Sequence, residues 1–303
     1  MMAMAADRML EIKTVKDCNR CLGCKTLHPQ VSIINLEHPD LEQDAVKFEF
    51  YAILLIEECT NEYCCCGRKY YDYSNATMVF LKPGEIFRMS ENGVLPDKGC
   101  LLAFHPDLLY CTSLKNHIKN YTFFSYHKEE ALHLSQRETA TITCCLENIE
   151  EELHHFIDTH TATILSRHIE LMLDYCTRFY ERQFITRENR NKTVLEEMET
   201  LLDDYINTNQ LQKGILPTSE YCASKLGLSV PYFNDLLKFE TGKTLKDFFQ
   251  FKQLDVAKRM LMQSDMTPAN VARLLGYPNV QCFSLLFKRI TGIAPNEYRY
   301  SQN

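Results

Sequence analysis

The feature that most constrains this fold is a repeat near the C-terminal end of the chain. Three positions of the first copy, Ala223, Leu226 and Gly227, recur at an offset of 49 as Ala272, Leu275 and Gly276. Five later positions recur at an offset of 50: Phe233, Leu237, Lys238, Thr241 and Gly242 match Phe283, Phe287, Lys288, Thr291 and Gly292. One residue is therefore inserted in the second copy after its first Gly, which places the length change in a turn.

Each copy predicts a helix, a turn at Gly and a second helix. Apolar residues of the second helices follow the spacing i, i+3, i+4. Ser229 is a candidate N-cap with Pro231 in the first turn, and Gly242 and Gly292 are expected to end these helices. This pattern is a helix-turn-helix written twice. The apolar stripe of residues 245–263 predicts one continuous helix that joins the copies.

Polar residues occupy the outer face of each second helix. The first face carries Pro231, Asn234, Asp235 and Lys238, and the second carries Gln281, Ser284, Leu285 and Lys288, followed by Arg289. Asn and Gln can pair with adenine, Asp can accept from cytosine, and an apolar side chain can contact the thymine methyl group. Lysine and arginine supply charge toward phosphates. Two such faces favour the reading of double-stranded DNA, although single residues there could also be merely solvated.

Charge is distributed unevenly along the chain. Residues 215–303 contain eleven basic and seven acidic residues, a net charge of +4, whereas the formal net charge of the whole chain is -7. The first 214 residues therefore carry a net charge of -11. A basic module on an acidic partner domain is typical of proteins that bind a polyanion.

Composition and motifs exclude several other classes of protein. The first residues have no apolar run of signal-peptide length, and the run at 51–56 is far shorter than a membrane span, so a cytoplasmic protein that does not enter membranes is expected. Reduced, buried thiols are expected for its 14 Cys. No nucleophile elbow, phosphate loop or paired catalytic carboxylates occur. We therefore expect no enzyme and no cofactor.

The two copies also resemble a known family. The segments "SEYCASKLGLSVPYFNDLLKFETGK" and "LDVAKRMLMQSDMTPANVARLLGYPNVQCFSLLFKRITGIAPNEYR" look like the double helix-turn-helix domain of AraC/XylS-type bacterial transcription regulators. The resemblance implies that both recognition helices enter adjacent major-groove segments. It places DNA contacts on Pro231, Asn234, Asp235, Val280, Gln281 and Leu285, and Tyr232 completes the candidate set. Many relatives carry Arg or Lys where this chain has Asp235 and Leu285, so base readout is expected to differ.

The first half resembles the sensor halves of a subgroup of the same regulators. Residues 30–126 alternate β-rich runs with turn signals, which predicts a small β-barrel, and the resemblance implies a cupin-like one. From Ser135 and Glu138, a candidate capping box, the pattern turns helical. Helices are predicted from Ser135, over 162–184 and over 193–207. The first two offer a dimerisation surface, as similar helices do in the family.

A competing signal lies near the N-terminal end. Cys18, Cys21 and Cys24 have CxxCxxC spacing and His28 follows, close to the ligand spacing of an iron-sulfur or zinc site. Related sensor halves keep neighbouring residues without these cysteines, and no further CxxC pair completes a closed site. A metal site is therefore not expected, but a metal-sensing, thiol-redox or methyl-accepting repair protein stays the alternative.

The sequence thus predicts an α+β chain with a cupin-like β-barrel and flanking helices before an all-α double helix-turn-helix domain. The expected regions are 1–134 (sensor), 135–207 (helical dimerisation and connector), 208–214 (linker) and 215–303 (DNA binding). The expected function is a sequence-specific transcription regulator, an activator, that binds double-stranded DNA as a homodimer. RNA polymerase and a small-molecule effector are its expected further partners.

Overall fold

The computed structural model describes residues 9–36, 45–57, 66–88, 98–110, 112–208, 210–263 and 266–301. The chain divides into two compact units, Met1–Arg187 and Glu188–Asn303, called here the N-terminal and C-terminal units. None of the helices formed by the described residues is long and apolar enough to cross a membrane.

The N-terminal unit contains eight described strands and four α-helices. The strands are β1 (Met9–Ile12), β2 (Val31–Asn35), β3 (Ala45–Phe48), β4 (Tyr51–Glu57), β5 (Ala76–Leu81), β6 (Glu85–Arg88), β7 (Gly99–Phe104) and β8 (Leu132–Leu134). The helices are α1 (Val15–Cys21), α2 (Leu114–His117), α3 (Gln136–His154) and α4 (Thr161–Thr186). Short 3-10 helices occupy much of the segment between β7 and β8.

Two sheets form the centre of this unit. The first has the order β1-β3-β6, with β1 parallel to β3, and the second has the antiparallel order β2-β7-β4-β5-β8. Side chains of both sheets share one core, among them Phe48 and Phe87 of the first sheet and Leu54 and Leu101 of the second. Within the described residues, the second sheet ends at β2 and β8. A closed cupin-like barrel is therefore not confirmed.

The continuous apolar sequence of β4 has a structural reason. Ala52, Leu54 and Ile56 belong to the core shared by the two sheets, while Ile53 and Leu55 are buried on the opposite face. On the neighbouring strand β5, Phe80 contacts Tyr180 of α4, with 6.2 Å between the ring centroids. The five-stranded sheet is thus covered on both faces, which requires apolar residues at successive positions.

The predicted capping box at the start of α3 is confirmed. The Ser135 hydroxyl accepts from the Glu138 N–H at 3.3 Å, and a Glu138 carboxylate oxygen accepts from the Ser135 N–H at 2.8 Å. The apolar stripe predicted for this helix is buried at all five positions: Ile142, Cys145, Leu146, Ile149 and Leu153. Local capping chemistry and helical periodicity therefore determine this element.

The C-terminal unit consists of helices. They are α5 (Glu188–Ile206), α6 (Ser219–Leu226), α7 (Val230–Thr241), α8 (Leu245–Leu261), α9 (Pro268–Leu274), α10 (Val280–Thr291) and α11 (Pro295–Ser301), with a 3-10 helix at Leu211–Lys213. The joining helix predicted over 245–263 is confirmed as α8, although it ends slightly earlier.

The beginning of this unit differs from the sequence-based division. The helix predicted from 193 begins at Glu188, and Met198 and Leu202 of this helix, α5, lie in the core of the C-terminal unit. Leu211, inside the segment expected to be a linker, is fully buried in the same core. The compact units therefore divide after Arg187, and α5 and the 3-10 helix at Leu211–Lys213 pack with the helix-turn-helix copies. The functional division into sensor, connector, linker and DNA-binding regions stays a prediction.

Candidate nucleic-acid interface

The two copies of the repeat fold as two helix-turn-helix motifs, α6–α7 and α9–α10. Their equivalent core residues are buried: Phe233 is 1% exposed, and Phe283 and Phe287 are 0% exposed. N-cap side chains begin all four helices, Thr218 and Ser229 in the first motif and Thr267 and Asn279 in the second. The repeated sequence thus produces a repeated structure.

The inserted residue lies in the turn of the second motif, as predicted. Gly227 and Gly276 both have positive φ, at 66° and 77°. The N-cap Ser229 follows Gly227 after one residue, whereas Asn279 follows Gly276 after two. The insertion therefore changes the connection and leaves the register of the second helix intact. Gly242 and Gly292, both in the left-handed conformation, end α7 and α10 as predicted.

Most of the predicted contact residues lie on the accessible sides of α7 and α10. Exposed positions are Asn234, Lys238, Gln281, Leu285, Lys288 and Arg289, and half-buried positions are Pro231, Asp235, Val280 and Ser284. Leu285 is an extreme case for an apolar residue, with 72% of its surface exposed. An apolar side chain presented in this way between polar neighbours suits contact with another apolar group, such as a thymine methyl.

Tyr232 is the exception, and its inclusion in the candidate set is corrected here. It is only 5% exposed, because its position lies beside Phe233 on the inner side of α7. The Ser229 hydroxyl accepts from its backbone N–H at 3.3 Å. Tyr232 therefore belongs to the internal packing of the first motif, and its ring is not on the surface that could meet DNA.

Some basic side chains of the C-terminal unit have a partner within that unit. Lys252 pairs with Asp203 at 3.0 Å, Lys258 pairs with Asp255 at 3.0 Å, and Lys243 lies over the Phe251 ring. By contrast, Lys238, Lys288 and Arg289 form no ion pair among the described residues. These three cations stand in the last turns of α7 and α10. Their charge is available to an external anion such as phosphate.

One contact that sequence reasoning missed joins the two helices of the first motif. The Ser219 hydroxyl at the start of α6 donates to the side-chain oxygen of Asn234 on α7, at 2.8 Å. The two residues are far apart in the helical pattern, so periodicity gives no signal for this bond. It orients the predicted DNA-contacting side chain of Asn234.

A second feature that sequence reasoning missed is the close packing of Gly276. A Cβ at this position would lie 2.3 Å from the backbone oxygen of Leu211. At Gly227, the equivalent position of the first motif, a Cβ would meet nothing within 4 Å. The 3-10 helix before α6 therefore packs directly on the turn of the second motif. Helix α5 contacts the first motif, where an Asn191 side-chain N–H donates to Glu240 of α7 at 2.8 Å.

The cysteine-rich segment lies apart from these motifs in sequence and belongs to the N-terminal unit. Burial, and then the neighbouring Cys21 and Cys24, raise the pKa of the Cys18 thiol to about 12. His28 is buried, its Nδ1 accepts from the Gln30 N–H at 3.2 Å, and burial lowers its pKa. Across the part of the chain that the structure describes, no three His, Cys, Asp or Glu side chains group in a way that could hold a metal ion.

A comparison with protein families points to the same part of the chain. A family profile described as "Helix-turn-helix domain" matches residues 222–301. The uncharacterized HTH-type transcriptional regulator YobQ of Bacillus subtilis (strain 168) is 35% identical over 22% of this chain and 28% of its own length. The MmsAB operon regulatory protein of Pseudomonas aeruginosa is 32% identical over 26% of this chain and 26% of its own length.

A solved structure from Chromobacterium violaceum, a transcriptional regulator described as an AraC-type DNA-binding domain-containing protein, is 19% identical, with a TM-score of 0.31. It covers 36% of this chain, and the match spans 91% of that chain. The chain spans about a quarter of the length of the curated relatives named above, 28% and 26%. The similarity to those relatives therefore concerns only part of each chain.

Proposed function

Because the C-terminal part of this chain is a helix-turn-helix domain of the AraC type, we propose that the whole protein is a sequence-specific activator of transcription. The observation that carries the proposal is the pair of equivalent helices, α7 and α10. Both bury one face in a shared core and present the other, with polar and basic side chains, to the surroundings. DNA is the polyanion that two such helices fit best.

Each recognition helix is assigned its own set of contacts. On α7 these are Pro231, Asn234, Asp235 and Lys238, and on α10 they are Val280, Gln281, Ser284, Leu285, Lys288 and Arg289. Asn234 and Gln281 are the candidates for direct base contacts, while Lys238, Lys288 and Arg289 contact phosphates. Asp235 in place of a basic residue favours a base that donates a hydrogen bond, such as cytosine.

The N-terminal unit is the proposed sensor. Its two packed sheets, covered on one side by α3 and α4, support a role as a cupin-like receiver of a small-molecule signal. We further propose a homodimer formed through the helices of residues 135–207, and RNA polymerase as the protein partner of the bound activator. Since its target is chromosomal DNA, the proposed location is the cytoplasm.

A metal- or thiol-sensing role is the second candidate, favoured only by the proximity of Cys18 to Cys21 and Cys24. Burial of Cys18 opposes the thiol-sensing role, because its pKa, raised to about 12, keeps the thiol protonated and makes it a poor nucleophile. Metal analysis of the purified protein separates the two roles. A stoichiometric transition metal that is lost in the Cys21→Ser variant would favour the second candidate.

The salt dependence of DNA binding tests the main proposal. Affinity for a duplex obtained by genome-wide binding or footprinting should fall log-linearly with salt concentration, because phosphate contacts release counterions. Lys288→Ala should lower this slope by about one unit. Lys192→Ala is the control, since Lys192 is equally charged and exposed but lies on α5 and pairs with Glu188 at 2.6 Å. An affinity that does not respond to salt would contradict DNA binding through these helices.

A further inference from the structure

The hydrogen bond between Ser219 and Asn234 is unused by the function proposed above. Ser219 is the first residue of α6, and Asn234 lies on the exposed side of α7. The Ser219 hydroxyl donates to the side-chain oxygen of Asn234 at 2.8 Å, a good length for an O–H···O bond. The bond thus ties a side chain of the recognition helix to the neighbouring helix of the same motif.

In this bond the amide of Asn234 turns its oxygen toward α6 and its NH₂ group outward. An Asn side chain has an accepting oxygen and a donating NH₂ group on opposite branches. Because the oxygen is turned toward α6, the NH₂ group is the end available to an external partner. An exposed Asn without such a bond could present either end and could pair with adenine through both. The observed bond therefore favours the orientation in which the NH₂ group is presented outward.

The second motif has no equivalent of this arrangement. At the offsets of the repeat, Ser219 corresponds to Pro268 and Asn234 corresponds to Ser284. A proline side chain has no hydrogen-bond donor, so it cannot hold a residue of α10 in this way. The restraint is specific to the first motif, where it acts on the residue proposed to contact a base.

We propose that Ser219 is a positioning residue that fixes Asn234 so that its NH₂ group donates to the N7 atom of a purine in the major groove. Adenine and guanine both present N7 as an acceptor there. Asn234 therefore reads a purine at its position and accepts adenine and guanine alike. This inference rests on the proposed function, since it assumes that α7 enters a major groove.

The experiment starts from duplexes selected from a random library by the full-length protein. Asn234→Ala identifies the base pair that this side chain reads, as the position whose preference is lost. At that position the wild type should bind adenine and guanine within about 3-fold of each other. A 7-deaza purine, which lacks the N7 acceptor, should weaken binding about 2- to 10-fold, as Asn234→Ala does.

Variants of Ser219 then test the positioning role. Ser219→Ala frees the amide oxygen to accept from the adenine amino group, so preference at this base pair should shift toward adenine by about 2- to 10-fold. Ser219→Thr keeps the hydroxyl and should keep the wild-type preference. Ser224→Ala makes the same change on the exposed side of the same helix and should alter nothing.

The outcomes are distinguishable. If no sequence is enriched by the wild type, the proposed function itself fails. If sequences are enriched but the wild type requires adenine, or prefers a pyrimidine on the contacted strand, the proposed readout is wrong. If Ser219→Ala lowers affinity for all sequences equally, Ser219 has only a structural role. The wild-type comparison of adenine, guanine and 7-deaza purines needs no variant, so a poorly folded Ser219→Ala protein would still leave the proposal open to refutation.

Discussion

His133 is a single residue whose burial should make the stability of the N-terminal unit depend on pH. It lies on β8, is 0% exposed, and shares a hydrogen bond of 3.1 Å between its Nδ1 and the Thr77 hydroxyl. Burial is the main cause that lowers its pKa, to about 4. In the unfolded chain the pKa of a histidine is about 6.5. The folded state therefore resists protonation that the unfolded state accepts.

The direction of the effect follows from this difference. Between about pH 6.5 and pH 4 the unfolded chain takes up a proton that folded His133 does not, so the free energy of unfolding falls as pH falls. From pH 7 to pH 5 the loss should be about 2 kcal/mol. Urea unfolding at both pH values should show a smaller loss for His133→Gln than for the wild type. The exposed His155→Gln variant should keep the wild-type loss. Equal losses in all three proteins would contradict the lowered pKa.

At the scale of single residues, sequence reasoning succeeded where the cause is local. The capping box of Ser135 and Glu138 and the N-cap Ser229 depend on neighbours within three positions, so the local sequence is sufficient to predict them. The burial of Tyr232 was missed because it lies at the edge of the apolar stripe, where only packing decides exposure. The bond from Ser219 to Asn234 was missed because it joins two helices, and helical periodicity describes one helix at a time.

The turns at Gly227 and Gly276 are equivalent in the sequence repeat, but their surroundings differ in the structure. Gly227→Ala should cost about 1 kcal/mol of stability, because a residue with a side chain is strained at positive φ but finds open space. Gly276→Ala carries the same strain and also places a Cβ 2.3 Å from the Leu211 backbone oxygen. It should cost several-fold more, on the order of 3 kcal/mol. Thermal unfolding of both variants tests this, and equal costs would contradict the packing of Leu211 on the second turn.

Helix α5 should belong to the same folding unit as the two helix-turn-helix motifs. Its residues Met198 and Leu202 are 0% exposed within the core of that unit, and burial of two such side chains contributes about 3 to 6 kcal/mol. A fragment of residues 188–303 should therefore fold cooperatively, whereas a fragment of residues 215–303 should be markedly less stable. Denaturation monitored by circular dichroism compares them. Met198→Ala in the longer fragment should reproduce part of the loss, and the exposed Glu197→Ala should not. Equal stability of the two fragments would contradict this packing and favour the linker predicted at 208–214.

The boundary at Arg187 shows why a helix or strand is easier to predict than the elements against which it packs. The repeat predicted α6 to α10 and the residue inserted in the second turn, because both copies follow the same pattern of apolar and glycine positions. The apolar pattern of α5 predicts a buried face but not the unit against which that face packs, because any apolar surface nearby could cover it. The same holds for the sheets of the N-terminal unit. Apolar runs predicted strands, but the parallel pairing of β1 with β3 and the order of the five-stranded sheet depend on contacts between distant residues.

For the whole molecule, the separation of charge and the repeat both support the proposed binding to DNA. The net charge of +4 lies in residues 215–303, where the proposed phosphate contacts are, and the net charge of -11 in the rest limits attraction to arbitrary DNA. A single helix-turn-helix reads only a few base pairs, so specificity in a genome needs a second reading unit. This chain carries both units itself, joined by α8, whose residues Leu245–Leu261 form one uninterrupted helix.

A continuous helix between the motifs predicts a fixed spacing of their half-sites on DNA. The two recognition helices should meet the same face of the duplex about one helical turn, roughly 34 Å, apart. Inserting five base pairs between the half-sites turns the second one to the opposite face, and inserting ten moves it about 34 Å farther, beyond the reach of a rigid α8. Affinity should fall in both cases to that of the tighter half-site alone. Gln281→Ala costs about 1 to 3 kcal/mol on the original site and should lose its effect when the half-site that remains bound is the one read by α7. A change of spacer sequence at constant length is the control. Recovery of affinity with the ten-base-pair insertion would mean that the motifs move independently, since only a flexible connection could follow the half-site along the same face.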